Sequence, residues 1–305
     1  EIIDRYLKGI LILTLINIIL AVSLNLINGG AGMLSIGHAG FMAVGAYASS
    51  LLSLYFDQIQ LFPSAAGILL RFPLALLFGG LLAALIGFLI GIPVLRLRGD
   101  YLAIATLGFG EIIRVIALNL EITHGARGLP GIPNYTNFWW AQLFVILTVV
   151  VIWNIIHSNH GRALVSIRED EIAAAAMGIN TTYYKVAAFV IGAFFAGVAG
   201  GLFAHHLAYI DPKSFGFMKT VEILLMVVLG GLGSITGSII AAVVLTGLPE
   251  ALRFLQSYRM IIYAATLILL MIYRPQGLLG RREAKIGLIS EWIAGRKTDR
   301  LGKER

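Results

Sequence analysis

Cysteine is absent from all 305 residues, so disulfides, thiol nucleophiles and thiolate metal sites are excluded. Charge is scarce too. Asp, Glu, Lys and Arg make up 13% of the chain, against about 25% in an ordinary soluble domain. With 58% hydrophobic residues and a mean hydropathy of +0.88, such a chain cannot cover itself in water. A G-x-x-x-x-G-K-[ST] phosphate loop is missing as well. The glycine-rich run from Gly230 to Gly237 holds no lysine to reach a phosphate. ATP hydrolysis by this chain is therefore excluded. No Ser/His/Asp or metal constellation falls at one membrane depth, which argues against an enzyme. The neighbouring His205 and His206 with Asp211 match no zinc spacing and are expected at the outer membrane surface.

What is present is a series of apolar runs long enough to cross a bilayer. Spans are expected at 9–28, 65–92, 101–120, 139–157, 185–205 and 258–273, with glycine-interrupted segments at 30–56 and 219–248. The first run is longer than a signal-peptide core and lacks an A-x-A cleavage pattern, so it reads as a retained span. Pro73 is expected to kink the 65–92 span or mark its true start. The formal charge of +7 lies mainly in short loops and the C-terminal tail, the placement of cytoplasmic anchors rather than of a nucleic-acid surface. That bias puts the N-terminus, loop 93–100, the polar insert 158–184 and the tail on the cytoplasmic side. Segments 30–56 and 219–248 must then begin and end outside, as re-entrant or broken helix pairs. Span, broken segment and span over 9–92 have the same order and polarity as 185–273, a weak internal repeat.

The fold class is thus all-α, a polytopic transmembrane helical bundle with broken or re-entrant helices. A permease domain covers 1–280 and a basic tail 281–305, part of which could lie as an amphipathic helix on membrane lipid. The broken segments suggest a substrate pathway through Ser35, Gly37 and His38 at one break and Gly231 and Ser234 at the other, because unpaired helix N-termini suit a carboxylate. Glycines that merely let helices pack closely remain the other reading, and His38 also fits a helix-packing hydrogen bonder. Glu111 and Arg114 stand one turn apart within span 101–120, as a pathway feature or a static ion pair. Glu222 falls at the membrane interface. In the insert, 167–177 has helix-forming composition, Gly178 suits a left-handed C′ position with Ile179 as its apolar partner, and Asn180, Thr181 or Thr182 can cap the next helix.

Three stretches carry a family resemblance: Met33-Leu34-Ser35-Ile36-Gly37-His38-Ala39-Gly40-Phe41, then Leu95 to Tyr101 running into Ala105-Thr106-Leu107-Gly108-Phe109-Gly110-Glu111, then Gly161 to Asn180. With Tyr273-Arg274-Pro275-Gln276-Gly277-Leu278 they resemble, in order and over nearly the whole chain, the LivM family of branched-chain amino acid ABC permeases. The insert resembles the EAA loop of ABC importers, with one residue more than usual between Glu171 and Gly178. The resemblance implies a permease subunit in a bacterial or archaeal (inner) membrane, importing branched-chain or related amino acids. Its implied partners are a second, LivH-like permease, two LivG- and LivF-like subunits that bind ATP-Mg, and an extracytoplasmic solute-binding protein. Arg168, Glu169, Asp170, Glu171 and Gly178 would couple to the ATPases, and Thr106 and Glu111 would join the pathway. The alternatives are an ion-coupled secondary transporter or channel, and an ABC permease for urea or short amides. No cofactor of its own and no nucleic-acid partner are expected.

Overall fold

The computed structural model describes residues 5–59 and 65–253, together with 264, 277, 278 and 280. The expected span 258–273, residue 264 apart, and the tail 281–305 lie outside the described residues. Among the described residues ten α-helices follow in order: α1 (Arg5–Asn25), α2 (His38–Gln58), α3 (Ala65–Val94), α4 (Asp100–Asn119), α5 (Phe138–His157), α6 (Asn159–Glu169), α7 (Glu171–Ala176), α8 (Thr181–Leu207), α9 (Phe217–Gly230) and α10 (Ile235–Ala251). Among the described residues six stretches are long and apolar enough to cross a membrane: Tyr6–Gly30, His38–Gln58, Leu69–Val94, Asp100–Asn119, Phe138–His157 and Thr181–Leu207. The helix α3 runs unbroken through Pro73, which therefore does not mark its start.

The centre is α8 with α2 and α3 packed against it. Apolar side chains gain little from burial against one another when the alternative is lipid. Close approach of backbones and interhelical hydrogen bonds do that work instead. A Cβ on Gly45 would overlap the backbone of Gly197, and one on Gly200 the backbone of Met42. Beside this seam Ser53 Oγ meets His205 Nε2 at 2.8 Å, while His205 Nδ1 meets the Gly201 carbonyl, also at 2.8 Å. His205 is fully buried there, not at the outer surface as its sequence position suggested.

The same contacts fix helix directions. Gly9 near the start of α1 faces His206 at the end of α8, whereas Gly192, midway along α8, faces Ile27 just past the end of α1. So α1 and α8 run antiparallel. The helix α3 also opposes α8, with Gly91 against Phe189 and Gly201 against Leu76. The start of α8 carries the polar insert, so the start of α1 lies at the far end of the bundle from it. This corrects the expectation that the N-terminal residues and the insert share one side. Segment 30–56 is correspondingly a break followed by an ordinary span, α2, returning to the far end. Segment 219–248 does begin and end on one side: α9 runs toward the insert end and α10 back, alongside α1, where Asn17 Nδ2 donates to Thr246 Oγ1 at 2.9 Å. The repeat expected between 9–92 and 185–273 fails on polarity, because α1 and α8 oppose each other. At the far end two short strands, β1 (Leu129–Pro130) and β2 (Tyr209–Ile210), pair antiparallel and tie the loops together.

Candidate functional site

The helix preceding the first break loosens through a π-turn at Leu26–Gly30 before Gly32 takes φ +69°. A chain that leaves helical geometry inside an apolar bundle strands backbone donors and acceptors, each of which needs a partner. Two asparagines supply them. Asn28 accepts from the Ser35 N–H at 3.1 Å and donates to the Ser35 carbonyl at 3.3 Å. Asn25 reaches across to the second break, accepting from Gly233 N–H at 2.8 Å and donating to the Ser234 carbonyl at 2.9 Å. The second break turns through Gly231 (φ +108°) and Gly233 (φ +93°), and Ser234 caps α10 by accepting from Gly237 N–H. Gly29 packs so tightly on Gly233 that a Cβ would overlap its backbone. The two breaks, some two hundred residues apart in sequence, are thus one interlocked unit at the insert end.

Arg168 closes this unit from the insert. Its Nη1 donates to the Gly29 carbonyl at 2.8 Å, and its stem covers Gly32. Glu169 holds the other side of the guanidinium at 3.0 Å. The helix expected over 167–177 is divided in two, because Asp170 leaves helical geometry (φ −155°, ψ 109°) and caps α7, accepting from Ile172 and Ala173 N–H at 2.8 and 3.0 Å. Glu171 bridges Lys185 of α8 at 2.6 Å and Arg98 of the α3–α4 loop at 3.4 Å. Gly178 takes φ +84° and closes α7 with paired bonds, Gly178 N–H to Ala175 and Ile179 N–H to Ala174. Asn180 caps α8 through Tyr183 N–H. Outside this braced frame stand Ile172 and Met177, 71% and 83% exposed.

The remaining expected site residues divide. Thr106 Oγ1 accepts from Ile36 N–H at 2.9 Å, and Gly37 packs on the Thr106 backbone. His38 is buried and meets Ser23 Oγ at 2.8 Å, a helix-packing contact. Ser35 is 1% exposed, and its hydroxyl has no partner among the described residues. Glu111 stands apart from all of these. It pairs with Arg114 Nε at 2.6 Å, both side chains about one-third exposed (35% and 26%) midway along an apolar span. A second pair, Lys219 and Glu222 at 3.0 Å, opens α9, with Lys219 also held by Asn17 Oδ1 at 3.1 Å. An unpaired Arg, Lys or Asp at the bilayer centre costs about 2.5–3.5 kcal/mol on the insertion scale, which explains the pairing. Among the described residues no cluster of His, Cys, Asp and Glu could hold a metal.

Sequence reasoning missed Asn25, Asn28, Lys185 and Arg98. The signal for the asparagines was present, since an amide inside an apolar run just before glycines is costly unless it bonds backbone.

Apolar spans around a glycine-packed core, two interlocked helix breaks and a polar insert braced on them define a multi-pass helical membrane permease. The chain belongs to the family described as the permease component of branched-chain amino acid transport systems, which matches residues 6–271. It is 39% identical over 318 residues to the high-affinity branched-chain amino acid transport system permease protein LivM of Salmonella typhimurium, covering 93% of this chain and 72% of that protein. The probable branched-chain amino acid transport permease protein LivM of Methanocaldococcus jannaschii is 26% identical over 308 residues, 86% of this chain and 89% of that one. The Escherichia coli permease protein LivH of the same kind of system is 38% identical over 149 residues, about half of each chain (48% and 47%). No solved structure gives a significant match.

Proposed function

We propose that this chain is one of two permease subunits of an ABC importer for branched-chain amino acids, driven by ATP hydrolysis in separate subunits and supplied by an extracytoplasmic binding protein. The observation that carries the reading is the hydrogen bond from Arg168 to Gly29. A nucleotide engine gripping the insert at Ile172 and Met177 would pull directly on both helix breaks through that guanidinium. The insert end is the cytoplasmic one in this reading. The resemblance of the insert to an ATPase-coupling loop carries this choice of side, since basic residues lie toward both ends: Arg96, Arg98, Arg162 and Arg168 at this one, Lys8, Arg71, Arg127, Lys213 and Lys219 at the other. The second permease is LivH-like, since the chain is similar to both LivM and LivH proteins. Charged residues of the insert, Glu169 and Glu171 among them, serve the ATPase contact, while Asp170 and Gly178 hold its shape. Ser35, Gly37, Thr106, Gly231 and Ser234 form the moving gate at the insert end of the solute pathway, and Glu111 lines that pathway.

Two measurements test this. In proteoliposomes holding both permeases, both ATPases and the binding protein, leucine uptake should require ATP. Because the chain has no cysteine, Met177→Cys gives a unique label site. It should react with an impermeant thiol reagent only from the ATPase side. Labelling from the opposite side, or uphill uptake by this chain alone on an ion gradient, sinks the proposal; the latter result would favour a secondary transporter.

A further inference from the structure

The helix α4 packs on α2 and barely touches α3, which leaves a groove between α3 and α4 with α2 as its floor. The groove encloses about 240 Å³. Ala43 and Ala48 floor it, Leu82 and Ile86 form one wall, and Ile113 and Ala117 form the other. The lining is almost wholly apolar, and Thr123 at one end spends its hydroxyl on the Ala117 and Leu120 carbonyls at 2.6 and 2.8 Å. Ile116 and Ile122 border the space yet remain 51% and 62% exposed, so it opens sideways out of the bundle. An apolar space of this kind does not hold water. Just beyond it, two 3-10 turns, Glu121–Thr123 and Gly125–Arg127, meet at His124 (φ +58°) and border a second hollow of about 330 Å³. Glu121, His124 and Arg127 line that hollow, and Leu120 lines both spaces. Among the described residues no ion pair or hydrogen bond occupies these three side chains.

The two spaces lie at different depths. The 20 residues of α4 rise about 30 Å, the thickness of a hydrocarbon core, so its last residues reach the interface at the end opposite the insert. From Leu120 to Ile113 the dry groove descends about 10 Å into that core, while Glu121 to Arg127 stand at headgroup level. We infer that this is a phospholipid site: one acyl chain fills the α3–α4 groove, Arg127 takes the phosphate, and Glu121 takes the ammonium of an ethanolamine headgroup. A guanidinium matches a phosphate bidentately, and basic pockets between spans seat lipid headgroups. Glu121 disfavours a headgroup of net negative charge. A side chain from another subunit would fill the groove and leave Glu121, His124 and Arg127 in water. An amino acid would find no partner for its charges in the groove. An amphiphile answers both spaces at once.

The test uses the assembled transporter in vesicles of phosphatidylethanolamine with phosphatidylglycerol, with a trace of one or the other lipid carrying a diazirine on an acyl chain. After photolysis, adducts of the ethanolamine probe should fall on residues 43–51 and 113–120 at least fivefold more often than on α5. Leu143, Ile146 and Val150 of α5 are about as exposed as Ile116, so they report ordinary contact with lipid. The glycerol probe should show no such preference. Arg127→Gln should lower the groove adducts at least fivefold without changing those on α5. Glu121→Gln should bring groove labelling by the two probes to within about twofold of each other. Ala117→Phe, which fills the groove, should remove the adducts whatever the headgroup; if it does not assemble, the wild-type map and the two loop variants decide. Adducts that follow exposure alone, alike on α4 and α5, mean boundary lipid only and overturn the inference. So does a groove that stays unlabelled while α5 reacts, the result of another subunit covering it, and so does equal groove labelling by both probes in the wild type.

Discussion

The guanidinium of Arg168 donates to the backbone carbonyl of Gly29 at 2.8 Å, so a residue of the polar insert holds the tip of the first broken helix. The same side chain approaches Gly233 in the second break and packs on Gly32, with Glu169 fixing its other edge. Replacing Arg168 by Met keeps much of the apolar stem and removes the hydrogen bonds. A bond with a charged partner contributes about 1.5–3 kcal/mol. The expected result is that ATP hydrolysis by the assembled transporter continues while leucine uptake falls, with a lower thermal midpoint by size-exclusion chromatography. Uptake at the wild-type ratio to ATP hydrolysed would mean the insert moves the breaks by some other contact.

Gly29 is the tightest point between the two breaks. A methyl group there meets the Gly233 backbone and the Asn25 side chain, neither of which can retreat without breaking the Asn25 bonds. Overpacking of this kind costs about 1–3 kcal/mol. Gly29→Ala should reduce the yield of folded protein and its thermal midpoint. Gly108→Ala, with nothing within 4 Å of the added methyl, should leave both unchanged. Equal behaviour of the two variants would refute the interlocked arrangement.

Much of this was legible in advance, for physical reasons. A span announces itself because a bilayer requires about twenty apolar residues in a row, and the helices α1, α3, α4, α5 and α8 were read from that rule. Gly178 was legible because its positive φ is a local demand that glycine meets. The side on which α1 starts was not legible, since Arg5 and Lys8 read as a basic flank shared with the insert while the helix they precede starts at the opposite end and runs toward it. Asp170 was read as an ATPase-coupling charge, although an acid ahead of Glu171-Ile172-Ala173-Ala174 also spells an N-cap. The meeting of Asn25 with Ser234 could not be read at all, because one sequence holds no record of contacts between distant segments.

Gly178 offers a clean separation of strain from crowding. Its φ is +84°, yet nothing lies within 4 Å of a built Cβ. Any loss in Gly178→Ala is therefore conformational, about 1–2 kcal/mol, and Gly178→Asn should lose less because Asn tolerates the left-handed region. Thermal midpoints should rank Gly, Asn, Ala. If Ala equals Gly, the α7 terminus is not held in this turn.

Glu171 is the junction between the insert, the α3–α4 loop and α8. Lys185 has only 9% of its side chain exposed, and its ammonium relies on Glu171 Oε1 at 2.6 Å. Arg98 is 65% exposed and can hydrate freely, so its share of the bridge matters little. Glu171→Gln therefore strands one buried cation, a loss of about 1–3 kcal/mol, while Arg98→Gln should change stability by less than about 0.5 kcal/mol. Lys185→Met alone removes the buried charge and leaves Glu171 with Arg98 and solvent, so it should be milder than Glu171→Gln. The double variant Glu171→Gln with Lys185→Met should recover most of the loss, since no charge is then left buried without a partner. Thermal midpoints of the four proteins settle the matter. Additive losses in the double variant would show that Lys185 draws its support from elsewhere, and the insert would then be free to pivot on α8 where the geometry has it pinned.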